Sequence, residues 1–246
     1  MTWLDDFVSF AEAQVDDKIR EAYWSRGADD RQIVLYRLGY INKHLPEINM
    51  PSDFLRWSNH GSKLVDSFVF PLTNATGQVL GLQFRSVDRS IRGYMDYFAD
   101  NTEAVLFGLG QASRYMWEVG QVCLVEGTFD LFPLQRVSPG VVATLTAKVT
   151  PQFARLLRRT CRRVFLSYDL DEAGRRGAAS FTRIYGKDFD DVLTLDYPQV
   201  ITVEGKLAKD PSEIWEAWGD DRLRTYLRCL TTYKSESEMH YASELL

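Results

Sequence analysis

Three acidic clusters carry most of the chemistry available to this sequence. The first is Glu126-Gly127-Thr128-Phe129-Asp130, directly after the apolar run Cys123-Leu124-Val125. The second is Asp169-Leu170-Asp171, after Val164-Phe165-Leu166-Ser167-Tyr168 and before Glu172-Ala173-Gly174. The third is Lys209-Asp210-Pro211, in a loop ahead of a helical segment. The apolar runs read as strands, and ligands of an open α/β sheet bind outside the carboxyl ends of its strands. Carboxylates gathered along that edge make an oxygen-rich site for a hard divalent cation. Mg²⁺ prefers a few carboxylates, its own waters and substrate phosphates to an all-protein cage. Asp169 and Asp171 are two residues apart, so on a strand they share a face and can reach one ion. Taken alone, Asp-Leu-Asp fits a strand-end turn equally well, because Asp is common in turns.

The elements that must position these clusters are legible as an alternation. From residue 120 the text reads strand QVCLVEG, helix FDLFPLQRV, strand GVVATL, helix TPQFARLLRRTCRR, strand VFLSYD, helix EAGRRGAASFTRIYG and strand VLTLDY. A further strand QVITVEG and a helix SEIWEAWG follow. Such spacing predicts βαβ units on a parallel sheet. Upstream, residues 3–24 carry Trp3, Leu4, Phe7, Phe10, Ala11, Val15 and Ile19 at a helical period. Gly27 closes that helix, Asp29 or Asp30 caps the next, and Gly39 ends it. Residues 44–62 read as loop or short irregular helix. VDSFVFPL and QVLGLQFRSV around TNATG form a hairpin, and residues 101–118 are helical again. The tail from Tyr233 is polar and is expected to be weakly ordered.

Composition sets the outer limits. The 246 residues are 45% hydrophobic, 26% charged and 13% aromatic, which is globular and excludes collagen-like or extended disordered chains. A net charge of −5 argues against coating nucleic acid through global charge, though a local basic path remains open. The three cysteines, Cys123, Cys161 and Cys229, are dispersed, and no histidine has metal-ligand spacing. A structural zinc site is not expected, and a reducing compartment is. The acidic N-terminus is not a signal peptide, and no apolar run is long enough to span a membrane, so a cytoplasmic location is expected.

In order and spacing, Glu-Gly-x-x-Asp, then GVVATLTAKVT, then Tyr-Asp-x-Asp-x-Ala-Gly, then Lys-Asp-Pro, resembles the Toprim domain in its DnaG-type bacterial and phage primase version. SRGADDRQIVLYRLGY is similar to the family's helix pair, FVFPLTNATGQVLGLQFR to its hairpin and YFADNTEAVLFG to its following stretch. The resemblance runs from about residue 8 to about residue 219. It implies an α/β protein: a mixed α+β N-terminal lobe (1–117), a Rossmann-like Toprim sheet flanked by helices (118–219), and a C-terminal helix and tail (220–246). The cleft between lobes would hold metal and nucleotides.

The resemblance also assigns roles. Glu126, Asp169 and Asp171 are the implied catalytic and metal-binding acids, with Asp130 and Asp210 as supporting ligands of Mg²⁺ or Mn²⁺. Arg85 matches a position where a cation takes triphosphate or template, and Gly127 lets the backbone approach the site. Arg92, Lys63, Lys148 and Lys209 complete the expected nucleotide- and template-binding set. The implied activity is two-metal nucleotidyl transfer, making short RNA primers from NTPs on single-stranded DNA. No zinc-ribbon or helicase module is visible in the text, so a separate zinc-binding subunit and a replicative helicase are the expected partners. Two family lysines have no counterpart, since the text reads Met95-Asp96-Tyr97-Phe98 and, after Phe107, Gly-Leu-Gly-Gln. A Toprim metal-dependent nuclease, or a degenerate nucleic-acid- or replication-partner-binding protein, are the alternatives.

Two other features stand out. Arg155, Arg158, Arg159 and Arg162 fall on one stripe of a helix, with Phe153, Leu156 and Leu157 toward the sheet. That stripe reads either as a backbone contact for nucleic acid or as a solvated face. The six tryptophans stand mostly at core spacing, and core packing is expected for them.

Overall fold

The computed structural model describes residues 2–42, 44–91, 93–99, 105–146 and 149–232, the last four of these as backbone only. The chain divides into two compact units, 1–105 and 106–246.

In the first unit, α1 (Trp3–Ala13) starts at a capping box, with Thr2 accepting from Asp5 N and the Asp5 carboxylate accepting from Thr2 N. The apolar period of residues 3–24 does not make one helix. Gln14 ends α1, and the Asp16 carboxylate accepts from Ile19 N to start α2 (Asp17–Trp24). Asp29 caps α3 (Asp30–Leu35) in a second capping box, with Gln32. This helix ends at Tyr36, and the chain turns through Arg37 at φ +53°. Gly39 is therefore not its terminator: it opens β1 (Gly39–Ile41). A Cβ there would lie 2.5 Å from Ala11 Cβ, so glycine lets the strand press against α1.

A short helix, α4 (Ser52–Trp57), precedes β2 (Ser67–Thr73), β3 (Val79–Ser86) and β4 (Met95–Phe98). These strands form an antiparallel sheet in the order β1-β2-β3-β4. The expected hairpin is present: the Asn74 side-chain oxygen accepts from Thr76 N and Gln78 N, and Gly77 takes φ +85°. α1, α4 and the sheet enclose a core of Leu4, Phe7, Phe54, Val69, Phe84 and Tyr97, among others, with Trp3 and Trp57 packed against it.

The second unit alternates as its text predicts. α5 (Leu109–Val119), β5 (Gln121–Val125), α6 (Thr128–Val137), β6 (Val141–Ala143), α7 (Pro151–Thr160), β7 (Arg163–Leu166), α8 (Glu172–Tyr185) and β8 (Asp191–Thr194) follow in turn. The sheet is wholly parallel in the order β6-β5-β7-β8, and β5, β6 and β7 are apolar and almost entirely buried, as in a sheet covered on both faces. α5 belongs with this unit, because Leu109, Ala112 and Met116 turn inward and the helix packs on β5 and β6. Cys123 and Cys161 are buried free thiols.

Three expectations are corrected here. QVITVEG is not a strand of the sheet: Gly205, at φ +76°, folds the run back so that Ile201 bridges Leu207. The expected helix SEIWEAWG and the C-terminal helix after it are both present, as α9 (Pro211–Thr232), which kinks at Gly219, φ +72°. Arg162 lies beyond the end of α7, whose C-cap is Cys161. Among the tryptophans, Trp24 and Trp117 are exposed rather than core, Trp117 by 74%. The tail from Tyr233 lies outside the described residues. No helix among the described residues is long and apolar enough to cross a membrane.

Candidate metal centre

The carboxyl ends of β5 and β7 and the loop before α9 bring the three acidic clusters into one electrostatic neighbourhood. Glu126 follows β5 directly and is half-buried; its Oε1 accepts from the backbone N–H of Asp169, at 3.3 Å, beyond the end of β7. Asp130 sits in the first turn of α6 and is buried, 7% exposed. Its two oxygens accept from Gly127 N (3.0 Å) and Ser212 N (3.3 Å), which ties α6 to the start of α9. Asp210 accepts from Glu213 N at 2.7 Å, and the Glu213 carboxylate accepts from Lys209 N at 2.8 Å. Leu170 N donates to Lys209 O at 2.6 Å, joining the second cluster to the third.

Asp171 corrects one expectation. β7 ends at Leu166, so Asp169 and Asp171 do not alternate on a strand. Asp171 is instead the N-cap of α8, accepting from Gly174 N at 2.9 Å, and it is exposed, while Asp169 is mostly buried. The two carboxylates therefore face different environments.

Burial and mutual repulsion dominate the electrostatics. Burial, then the Glu126, Asp210, Asp171 and Glu213 charges, push Asp169 up to about 8. Burial, reinforced by Glu213 and Glu216 and opposed by the Glu213 backbone bond and Lys209, raises Asp210 to about 6. Burial lifts Asp130 well above the usual carboxylate range, and Asp210 and Asp169 add to it. Glu126 is raised too, by burial first and by Asp171. Like charges held together in a low dielectric favour protons or a cation among them.

The residues gathered here suit a divalent cation in chemistry. All are hard oxygen donors. Asp169 Oδ1 is buried and without a hydrogen-bond partner, a costly orphan that a cation would satisfy. Among the described residues, no three His, Cys, Asp or Glu side chains already stand in a geometry that holds an ion. Several of the acids are instead engaged as helix caps or ties. A cavity of about 620 Å³ opens beside Asp169 and Asp171, with Arg175, Tyr197, Lys206 and Lys209 in its lining.

Two contributors escaped the sequence reading. Glu213 completes an Asp-x-x-Glu cap with Asp210, a pattern visible in the text. Gly174 has no room for a side chain: a Cβ would collide with the Asp169 carbonyl and lie 2.8 Å from Glu126 Oε1. Gly127 has φ −97°, a conformation open to any residue, and serves as the N-cap of α6.

The basic residues divide. Lys209 is exposed beside the acids. Arg85 and Lys63 belong to the first unit. The Arg85 guanidinium lies 4.9 Å from the Tyr94 ring centre with its Nε buried and unbonded, and Lys63 Nζ donates to Trp57 O at 3.2 Å. Arg92 and Lys148 lie outside the described residues.

Comparison with known proteins agrees with this geometry. Residues 123–213 match the family described as Toprim-like. The DNA primase of Aquifex aeolicus is 28% identical over 221 residues, covering 81% of this chain and 42% of that protein, so the chain spans less than half the length of this curated relative. The crystal structure of the zinc-binding and RNA polymerase domains of the Aquifex aeolicus primase superposes with a TM-score of 0.70 at 22% identity, covering 97% of this chain and 66% of that one. The DnaG primase catalytic domain bound to single-stranded DNA gives 0.68 at 19% identity, covering 89% and 74%. The second unit thus contains a Toprim-like domain, and the chain has the α/β fold of DnaG-type primase catalytic cores.

Proposed function

We propose that this chain is a DNA primase catalytic core that makes short RNA primers on single-stranded DNA, in the cytoplasm. The observation that carries the reading is the buried, unpartnered Asp169 oxygen among Glu126, Asp130 and Asp210 at the carboxyl edge of a Toprim-like sheet.

Glu126, Asp169 and Asp171, supported by Asp130 and Asp210, would hold Mg²⁺ or Mn²⁺. When bound, such ions compensate phosphate charge and favour in-line displacement at phosphorus. The chain's own residues supply placement. Glu126 fixes the Asp169 backbone through its N–H, and Asp130 locks α6 against α9, which limits how far the clusters can spread. Asp171 holds the first turn of α8 with one oxygen and keeps its exposed side available. Lys209 places a cation beside the acids, where the NTP phosphates would enter, and Arg85, with Lys63, would contribute to nucleotide or template contact.

Purified protein is incubated with mixed single-stranded DNA, labelled NTPs and Mg²⁺ or Mn²⁺, beside an Asp169→Asn/Asp171→Asn variant. Short labelled RNA from the wild type alone is the expected result. Metal-dependent cleavage of the DNA without RNA product would replace primer synthesis with hydrolysis.

A further inference from the structure

The outer surface of the second unit holds a basic and aromatic patch that the acid cluster does not use. α7 exposes Arg155, Arg158 and Arg159, and Arg162 follows just past its end. Phe153, Ala154 and Leu157 face inward, so the arginines stand on the opposite side of the helix. α5 packs beside α7, and the two segments are joined at their ends: Gly120 O accepts from Arg162 N (2.8 Å) and Arg163 N (3.0 Å). One helical turn before Gly120 stands Trp117, an indole 74% exposed.

The neighbouring acids do not neutralise this patch. Asp188 lies 3.8 Å from Arg158, Asp191 pairs with Arg163 at 2.9 Å and Glu118 pairs with Arg114 at 2.8 Å. Asp190 is exposed next to Arg162, its N–H donating to the Arg162 carbonyl. Among the described residues, no ion pair or hydrogen bond engages the side chains of Arg155, Arg159 or Arg162. A surplus of unmatched guanidinium groups in a protein of net charge −5 is complementary to a polyanion. A flat exposed indole beside it selects one with accessible base faces.

We infer that Arg155, Arg159, Arg162 and Trp117 form a single-stranded DNA path on the α5/α7 surface, separate from the acidic site. Only the identity of the ligand rests on the primase reading. β5 (Gln121–Val125) separates Gly120 from Glu126, so Trp117 and Arg162 stand at the opposite end of the strand from Glu126, about 20 Å away, and Arg159 and Arg155 follow back along α7. It would hold template away from the reacting end. The arginines supply backbone attraction without sequence preference, and Trp117 supplies stacking.

The test is fluorescence anisotropy of a labelled oligo-dT on the full chain, in EDTA and without NTPs, across a salt series. Arg155→Glu/Arg159→Glu/Arg162→Glu is expected to weaken binding at least ten-fold and to flatten the log K against log salt slope by about 2. The triple Lys variant should keep the slope, which separates charge from misfolding. Trp117→Ala should weaken binding about five-fold or more with the slope unchanged, and Trp117→Phe should retain it. Binding by the Glu variant within two-fold of wild type, with the same slope, would overturn the inference, as would no measurable binding by the wild type. If the Glu variant loses binding while the wild type makes no primers, the primase reading fails and the path stands. If primers are made and the Glu variant binds normally, only the path fails.

Discussion

The two units handle polar groups in opposite ways. In the first, aromatic rings dominate: Phe54 is fully buried against Trp3, Phe7, Trp57 and Tyr97, with ring centres 4.9–5.7 Å apart. Its nearby acids are satisfied, as where Asp53 accepts from Tyr97 Oη at 2.7 Å, a bond that also lowers Asp53. In the second unit, Asp169 keeps a buried oxygen without a partner, and four carboxylates are raised by burial first and then by neighbouring acids. Both sheets are well packed, so the difference lies in what stands at their edges. A region that leaves like charges uncompensated is adapted to something it binds, not to its own stability.

That contrast can be broken at several points. The largest expected effect is in the first unit: Phe54→Ala should cost about 3–5 kcal/mol in denaturant unfolding, because the fully enclosed ring leaves a cavity. The next is in the second unit, where saturating Mn²⁺ at a hundredfold excess over its dissociation constant should stabilise by about 2.7 kcal/mol. Thermal unfolding with Mn²⁺ or EDTA reads this, and Asp169→Asn should lose the gain. Gly174→Ala should cost about 1–3 kcal/mol, since α8 must move off Asp169 and Glu126. It should also abolish primer synthesis even where the fold survives, and both are read on one preparation.

The smallest effect concerns Asp96 in the first unit, raised by burial against the opposing Gln83 hydrogen bond at 2.9 Å. Its charged form is disfavoured in the fold, so the penalty is absent below the unfolded value of 3.8, grows as pH rises from there to the raised folded value, and is fully present above it. Asp96→Asn should therefore be the more stable protein at pH 7 by under about 1 kcal/mol, with the gap closing near pH 3.5. A gap that persisted in acid would mean that the amide stabilises the fold by packing or hydrogen bonding.

What was legible follows short-range rules, although the Asp16 cap that splits α1 from α2 and the Asp210–Glu213 cap, equally local, went unread. The cap ahead of α3, read as Asp29 or Asp30, and the turn at Asn74–Gly77 depend on residues within a few positions of each other, and the βαβ alternation on the hydrophobic period within each segment. Where the deciding partner is distant, the text misled. Gly39 looked like a helix end because nothing nearby announces Ala11, and QVITVEG looked like a strand although it folds back on Leu207. Trp117 has core-like spacing, yet its indole meets solvent.

The sequence alone determined the order of the acids along the chain, the strands that precede Glu126 and Asp169, and the helix that follows Asp171, because hydrophobic period and capping chemistry are local. Tertiary structure alone decided that Asp130 reaches Ser212, that Gly174 must lack a side chain against Glu126 and that Asp169 keeps an unsatisfied oxygen. Each depends on which backbone atoms close packing brings within hydrogen-bond or van der Waals distance, and that is set by the whole fold rather than by any one segment.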